Sequence, residues 1–231
     1  MIINHRYKFI FLKTRKTAGT SIEIALSKFC DAHDVITPIT EEDEQLRKQE
    51  GFLGPQNYHI PFSHYHRQDW KNLIGSPGRK KFHNHAEALF IKENISAEIW
   101  NNYFKFTFER NPFDKAISRY YWSTRHRNTD ISISKYLKNA RVDLLSNWNT
   151  YTINDEIAVD FVGRYETLSD DLQKIKDKIN LPENLNLPQA KGNYRKNRAH
   201  YTDVLDSQAR SRIEIVCAKE IAAFDYRWSK S

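Results

Sequence analysis

Three times along the chain a short apolar run passes through a tight loop directly into a helical stripe, and that repeated order restricts the fold more than any other feature. The run YKFIFLK at 7–13 is apolar on both faces at its centre, as a strand covered by helices on both sides must be. A loop at 14–17 follows, and then Ile22, Ala25, Leu26 and Phe29 recur at helical spacing. The segment YFKFTFE at 103–109 alternates like a strand. Asn111 and Pro112 then supply a helix cap and a first-turn proline, and Phe113, Ala116, Ile117 and Tyr120 form the next stripe. In DFVGRYETLSDDLQKI, Phe161 and Val162 suit a third strand, and Ser169 or Thr167 caps a helix carrying Leu172, Ile175 and Ile179. Three strand-to-helix units predict an α/β fold whose central parallel sheet is flanked by helices.

No internal repeat or composition break divides the 231 residues, so 1–231 reads as a single domain with an irregular, polar insertion at about 31–82. Within it, EEDEQLRKQE reads as an acidic helical patch on a surface excursion. The aromatic run through Tyr58, Phe62, Tyr65 and Trp70 suits a wall against an acceptor. Residues 205–224 read as one amphipathic, structural helix through Leu205, Ile213, Val216, Cys217 and Ile221. Two distant cysteines, Cys30 and Cys217, cannot build a disulfide framework or a zinc ribbon, which favours a reducing compartment. The apolar run FIFL is too short for a signal-peptide core or a membrane span, so a cytoplasmic location without a transmembrane segment is expected. A net charge of +7 suits an anionic ligand.

The loop KTRKTAGTS, Lys13 to Ser21, aims backbone N–H groups and the positive end of a helix at one spot, which attracts phosphate or sulfate. Gly19 permits close approach, Thr17, Thr20 and Ser21 carry hydroxyls, and Lys16 adds a mobile charge. The loop is P-loop-like in placement without being a Walker A motif, because Lys16 precedes the glycine. At the second junction Arg110 ends its strand. Ser118 follows the cap Asn111 by seven residues, roughly 20° short of two full turns, so cap and serine share a face. An Arg fork and a hydroxyl placed in this way can hold a second phosphate.

Together, KTAGTS after an apolar strand and RNPFDKAISRYY resemble the 5'-phosphosulfate loop and the 3'-phosphate motif of the sulfotransferases that use 3'-phosphoadenosine 5'-phosphosulfate. DFVGRYETLSDDL and IVCAKEIAAFDY resemble further blocks of the Golgi carbohydrate sulfotransferases and their bacterial relatives, so the likeness covers most of the chain outside 31–82. The resemblance implies a sulfotransferase-like fold and transfer of a sulfuryl group from that donor to a hydroxyl, with adenosine 3',5'-bisphosphate as product. It also implies a glycan or glycoconjugate acceptor. It makes Lys16 the catalytic lysine and Thr17, Ala18, Gly19, Thr20 and Ser21 the cradle of the 5'-phosphosulfate. Arg110 and Ser118 would hold the 3'-phosphate, Tyr165 would flank the nucleotide, and the basic loop KGNYRKNRAH would close over it through Arg195 or Lys196. Two departures stand out. Arg15 replaces the proline usual before the loop lysine, and Glu109 occupies a usually apolar place, which questions the local strand packing.

An acceptor hydroxyl needs a base, and five of the nine histidines, His59, His64, His66, His83 and His85, lie within 27 positions. FHNH resembles the His-x-His of uronyl 2-O-sulfotransferases, which ranks His85 first and His83 second; in an extended segment the two rings point the same way. Zinc binding by such a pair is the weaker reading, because no third spaced ligand is evident, and no metal is expected. Two rivals remain. A P-loop-like kinase would need magnesium and a lysine after the glycine. A basic nucleic-acid binder would use KGNYRKNRAH without a recognised RNA or DNA signature, so no nucleic-acid partner is expected.

Overall fold

The computed structural model describes residues 1–75, 78–126, 131–188 and 199–229. Its main sheet has five strands in the order β3-β1-β2-β4-β7. These are β1 (Ile2–Asn4), β2 (Phe9–Phe11), β3 (Val35–Ile36), β4 (Phe104–Glu109) and β7 (Phe161–Arg164), while β5 (Thr152–Ile153) and β6 (Glu156–Ile157) form a separate hairpin. The three strands expected from the sequence are mutually parallel. Phe9 pairs with Phe104, and Phe106 pairs with both Phe11 and Phe161. The sheet as a whole is mixed, because β1 runs antiparallel to both β2 and β3. Those two short strands escaped the sequence reading, since three and two residues are too few to show a period.

The double-sided burial of the central strands follows from their pleat. Ile3, Ile10 and Leu12 face a core containing Trp100, Trp148, Tyr151 and Phe224. Ile2, Phe9, Phe11, Phe106 and Phe108 face the opposite core, against Ile22 and Leu26 of the helix Gly19–Ser27 and Leu172 and Ile175 of the helix Leu168–Lys178. Gly163 is required here by space, since a Cβ would lie 2.5 Å from Phe108 Cε1. A third apolar cluster, with Phe113, Ile117, Leu137, Leu205 and Ile213, packs the helix Pro112–Thr124 against the carboxyl-terminal helices.

Two expectations are corrected. The acidic segment does form a helix, Glu41–Gln49, but it is more than a solvated excursion. Its Arg47 is fully buried, with Nη2 3.4 Å from Glu23 Oε1, because Glu23 inside the first helix needs cations around it. Residues 205–224 form two helices, Ser207–Val216 and Ala218–Phe224, rather than one. The break at Cys217 lets Ile213 stay in the third cluster while Phe224 turns into the first. Among the described residues no helix is long and apolar enough to cross a membrane.

Candidate active site

Adjacent parallel strands end side by side, so the loops leaving β2, β4 and β7 meet at one edge of the sheet, where open α/β sheets bind ligands. After β2 the chain turns through two left-handed residues, Lys16 (φ 64°) and Ala18 (φ 61°), before the helix Gly19–Ser27 begins. The loop is braced from below: Thr14 Oγ1 donates to the Phe108 carbonyl and lies 2.8 Å from Thr17 Oγ1. Thr17 is thus buried, and its hydroxyl is turned toward Thr14, leaving its N–H as the group it can offer a ligand. A Cβ on Gly19 would sit 2.8 Å from Lys13 Cγ and 3.2 Å from the Thr14 carbonyl, so only glycine lets the loop fold back this closely. Lys13 Nζ lies 2.7 Å from Glu23 Oε2 in a buried pair and ties the strand end to the helix beneath. Ser21 is buried, while Lys16, Ala18 and Thr20 are half-buried; Lys16 Nζ lies 5.6 Å from the Trp122 ring.

Arg110 joins the three blocks. Its Nη1 donates to the Lys16 carbonyl at 3.2 Å, its guanidinium lies 3.9 Å from the centre of the Tyr165 ring, and Nε donates to Asp114 Oδ2 at 2.8 Å. Nη2 bonds the same carboxylate oxygen. Asp114, four residues on, therefore orients the fork, and the helical i, i+4 spacing is the signal that could have revealed it. Asn111 caps the helix as expected, accepting from Phe113 N at 3.0 Å with Pro112 in the first turn, and Ser118 lies half-buried further along it.

Glu109, whose charge questioned the strand packing, is fully buried and satisfied. It accepts from Lys115 Nζ at 2.8 Å, Asn147 Nδ2 at 3.1 Å and the Tyr151 hydroxyl at 3.2 Å. Glu220 reaches the same ammonium at 3.8 Å. Two carboxylates sharing one lysine hold the Lys115 ammonium in its charged form, above the usual lysine range, whereas burial pushes Glu109 up. Asn147 links this network to the loop. It accepts from Arg15 N at 2.9 Å and donates to the Arg15 carbonyl at 3.1 Å, closing both backbone groups of the residue before Lys16. Nothing in the sequence pattern pointed to Asn147, which lies 132 residues from Arg15.

The two histidines of FHNH diverge. Ala86 N donates to the His83 carbonyl at 3.0 Å, so the segment turns and is not extended as expected. His83 stays exposed, its ring 5.6 Å from that of Phe90, while His85 turns in and places Nδ1 2.8 Å from the Lys13 carbonyl. A carbonyl only accepts, so Nδ1 carries the hydrogen and the lone pair is on Nε2. Burial, with Arg15 and Lys13 nearby, pushes the His85 pKa down to about 3, far from the ordinary imidazole value. Among the described residues no group of three or more His, Cys, Asp or Glu could hold a metal ion. Arg195 and Lys196 lie outside the described residues.

The family described as "Sulfotransferase family" matches residues 1–227. A protein of Archaeoglobus fulgidus described as an uncharacterized protein is 35% identical over 116 residues, which cover 47% of this chain and 97% of that relative. No solved structure gives a significant match.

Proposed function

The chain belongs to the sulfotransferase family, and from that premise we propose that it moves a sulfuryl group from 3'-phosphoadenosine 5'-phosphosulfate to a hydroxyl of a carbohydrate acceptor by in-line displacement. The observation that carries this reading is the Arg110 bond to the Lys16 carbonyl at 3.2 Å. It brings an Arg fork suited to one phosphate beside a left-handed loop at a helix N-terminus suited to another. A nucleotide phosphorylated at both the 3' and the 5' position fits such a pair of sites, whereas ATP carries a single phosphate chain.

In this reading the N–H groups of Thr17 to Ser21, with the Thr20 and Ser21 hydroxyls, hold the 5'-phosphosulfate. Arg110 and Ser118 hold the 3'-phosphate, and Tyr165 keeps the guanidinium plane fixed. Sulfuryl transfer resembles phosphoryl transfer, in which catalysis is mainly positioning and electrostatics. The donor supplies an activated sulfuryl group. Lys16 stabilises the charge that grows on the leaving oxygen, and His85 Nε2 takes the acceptor proton. A sulfuryl group carries less negative charge than a phosphoryl group, so the reading needs no magnesium. Phe62 and Trp70, stacked at 5.4 Å and both 45% exposed, offer a flat apolar face of the kind that sugar rings cover, which supports a carbohydrate acceptor.

Thermal unfolding with adenosine 3',5'-bisphosphate, ATP and an oligonucleotide tests the donor. The bisphosphate at 100 times its Kd should stabilise the fold by roughly 2.7 kcal/mol, and ATP by much less. Equal shifts with ATP would sink the reading. A radiolabelled-sulfate screen over a glycan panel then tests the acceptor.

A further inference from the structure

Lys16 holds a backbone conformation that a residue with a Cβ rarely adopts. Its φ of 64° lies in the left-handed region, and such a residue persists only where its surroundings fix it from more than one side. Because peptide units are planar, φ and ψ of Lys16 are set by the two planes that meet at its Cα. The plane after Lys16 is held by Arg110 Nη1, which donates to the Lys16 carbonyl at 3.2 Å. The plane before it carries the Arg15 carbonyl, which accepts from Asn147 Nδ2 at 3.1 Å. Asn147 Oδ1 also accepts from Arg15 N at 2.9 Å, so one side chain grips both backbone groups of the residue before Lys16.

Asn147 is itself fixed in place and in orientation. It is buried, and its backbone N donates to Glu220 Oε1 at 2.9 Å. Its Nδ2 donates to Glu109 Oε1 at 3.1 Å, and Lys115 Nζ holds that same oxygen at 2.8 Å. A side-chain amide has a donor end and an acceptor end of nearly equal shape, whereas a carboxylate only accepts. Glu109 therefore draws the amino end of Asn147 toward itself and the Arg15 carbonyl, which leaves the oxygen for the Arg15 N–H. The two departures seen in the sequence, Arg15 and Glu109, meet at this one residue, and a proline at 15 would have no N–H to offer it. The rest of the loop is braced separately, through Thr14 Oγ1 and the Phe108 carbonyl.

We propose that Asn147, oriented by Glu109, is a positioning residue for the transfer step: it fixes the peptide before Lys16 and thereby the direction in which the lysine presents its ammonium to the leaving oxygen. The inference rests on the reading above that Lys16 meets that oxygen. It assigns Asn147 an effect on the rate rather than on donor binding, because the N–H groups of Thr17 to Ser21 and the Arg110 fork lie outside its contacts.

The test is a double-mutant cycle between Asn147→Ala and Lys16→Ala on the full chain. Its rate is single-turnover cleavage of radiolabelled 3'-phosphoadenosine 5'-phosphosulfate with water as acceptor, which yields inorganic sulfate and adenosine 3',5'-bisphosphate. Asn147→Ala should slow cleavage about 10-fold to 100-fold, as a small misplacement of a catalytic group does, and leave bisphosphate affinity by titration within about threefold. In the Lys16→Ala background the same substitution should change the rate by less than about twofold, because the group it aims is gone. Asn147→Ser keeps a polar atom in the network but is too short to reach both Arg15 groups, and it takes the place of Asn147→Ala if that variant folds poorly. Losses that multiply in the double variant, an equal loss of bisphosphate affinity, or a wild-type rate in Asn147→Ala overturns the proposal. Failure of both Asn147 variants to fold also overturns it and makes the residue structural. Amide exchange across 14–17 separates this proposal from the donor reading. If wild type neither binds the bisphosphate nor cleaves the donor, yet exchange there rises in Asn147→Ala, the donor reading fails while the hold of Asn147 on the loop stands.

Discussion

Arg110 and Lys16, 94 residues apart in sequence, are joined by one hydrogen bond from the guanidinium Nη1 to the lysine carbonyl at 3.2 Å. The charge proposed for the 3'-phosphate is therefore geometrically coupled to the loop proposed for the 5'-phosphosulfate. Arg110→Lys keeps the charge but loses the fork held by Asp114 and the plane stacked on Tyr165. We expect adenosine 3',5'-bisphosphate to bind about 10-fold to 100-fold more weakly by titration, the value of one or two charge-assisted bonds. Unchanged affinity would remove Arg110 from the nucleotide site.

Lys16→Ala should lower turnover much more than bisphosphate affinity, because the charge the lysine meets develops only as the bond breaks. The expected loss is about 2.7–4 kcal/mol in the barrier, by analogy with removal of an oxyanion donor. A titration and a single-turnover rate, measured on one preparation, separate the two effects.

The His85 pKa of about 3 predicts an unusual pH profile. A base must be neutral, and a group whose pKa is lowered is neutral at every pH above that value. The kcat/KM profile, which reports the free enzyme, should therefore show no His85 break near 6.5 and should begin to fall only as pH approaches the lowered value. A clear break near pH 6.5 would instead point to an exposed ring such as His83. His85→Ala should cost about 100-fold to 10,000-fold in rate with bisphosphate affinity retained. The same shift has a stability sign. The unfolded chain binds a proton to this ring below about pH 6.5, whereas the folded one resists it, so His85 costs no stability above that pH and stability falls as pH drops toward 3.

Asn147→Asp tests the brace behind the loop. The carboxylate could still accept from Arg15 N but could not donate to the Arg15 carbonyl or to Glu109, and it would place a third buried acid beside Glu109 and Glu220. It should be more destabilising than Asn147→Ala, which itself should cost about 1–3 kcal/mol for the groups left unpaired. Denaturant midpoints rank the two. An aspartate variant as stable as wild type would show that the network tolerates a further charge.

The parallel core was legible because its strands and helices are coded locally. An apolar run buried on both faces, a cap and proline at Asn111 and Pro112, and a stripe such as Leu172 and Ile175 are each visible within one turn or one pleat. The loop at Lys13 to Ser21 was legible for the same reason. The antiparallel edge was not, since Ile2–Asn4 and Val35–Ile36 are too short to carry a pattern and exist as strands only by pairing.

The sequence by itself determined which residue types could bind an anion and in what order they occur, because helix starts and strand ends are set by neighbours in the chain. Only the tertiary structure decided how those residues meet. It turned His85 inward and left His83 exposed, made Glu109 the buried partner of Lys115 rather than a flaw in the strand, and set Asn147 against the Arg15 backbone. The physical reason is burial. A polar group removed from water must find a partner wherever the fold supplies one, and that partner can lie a hundred residues away.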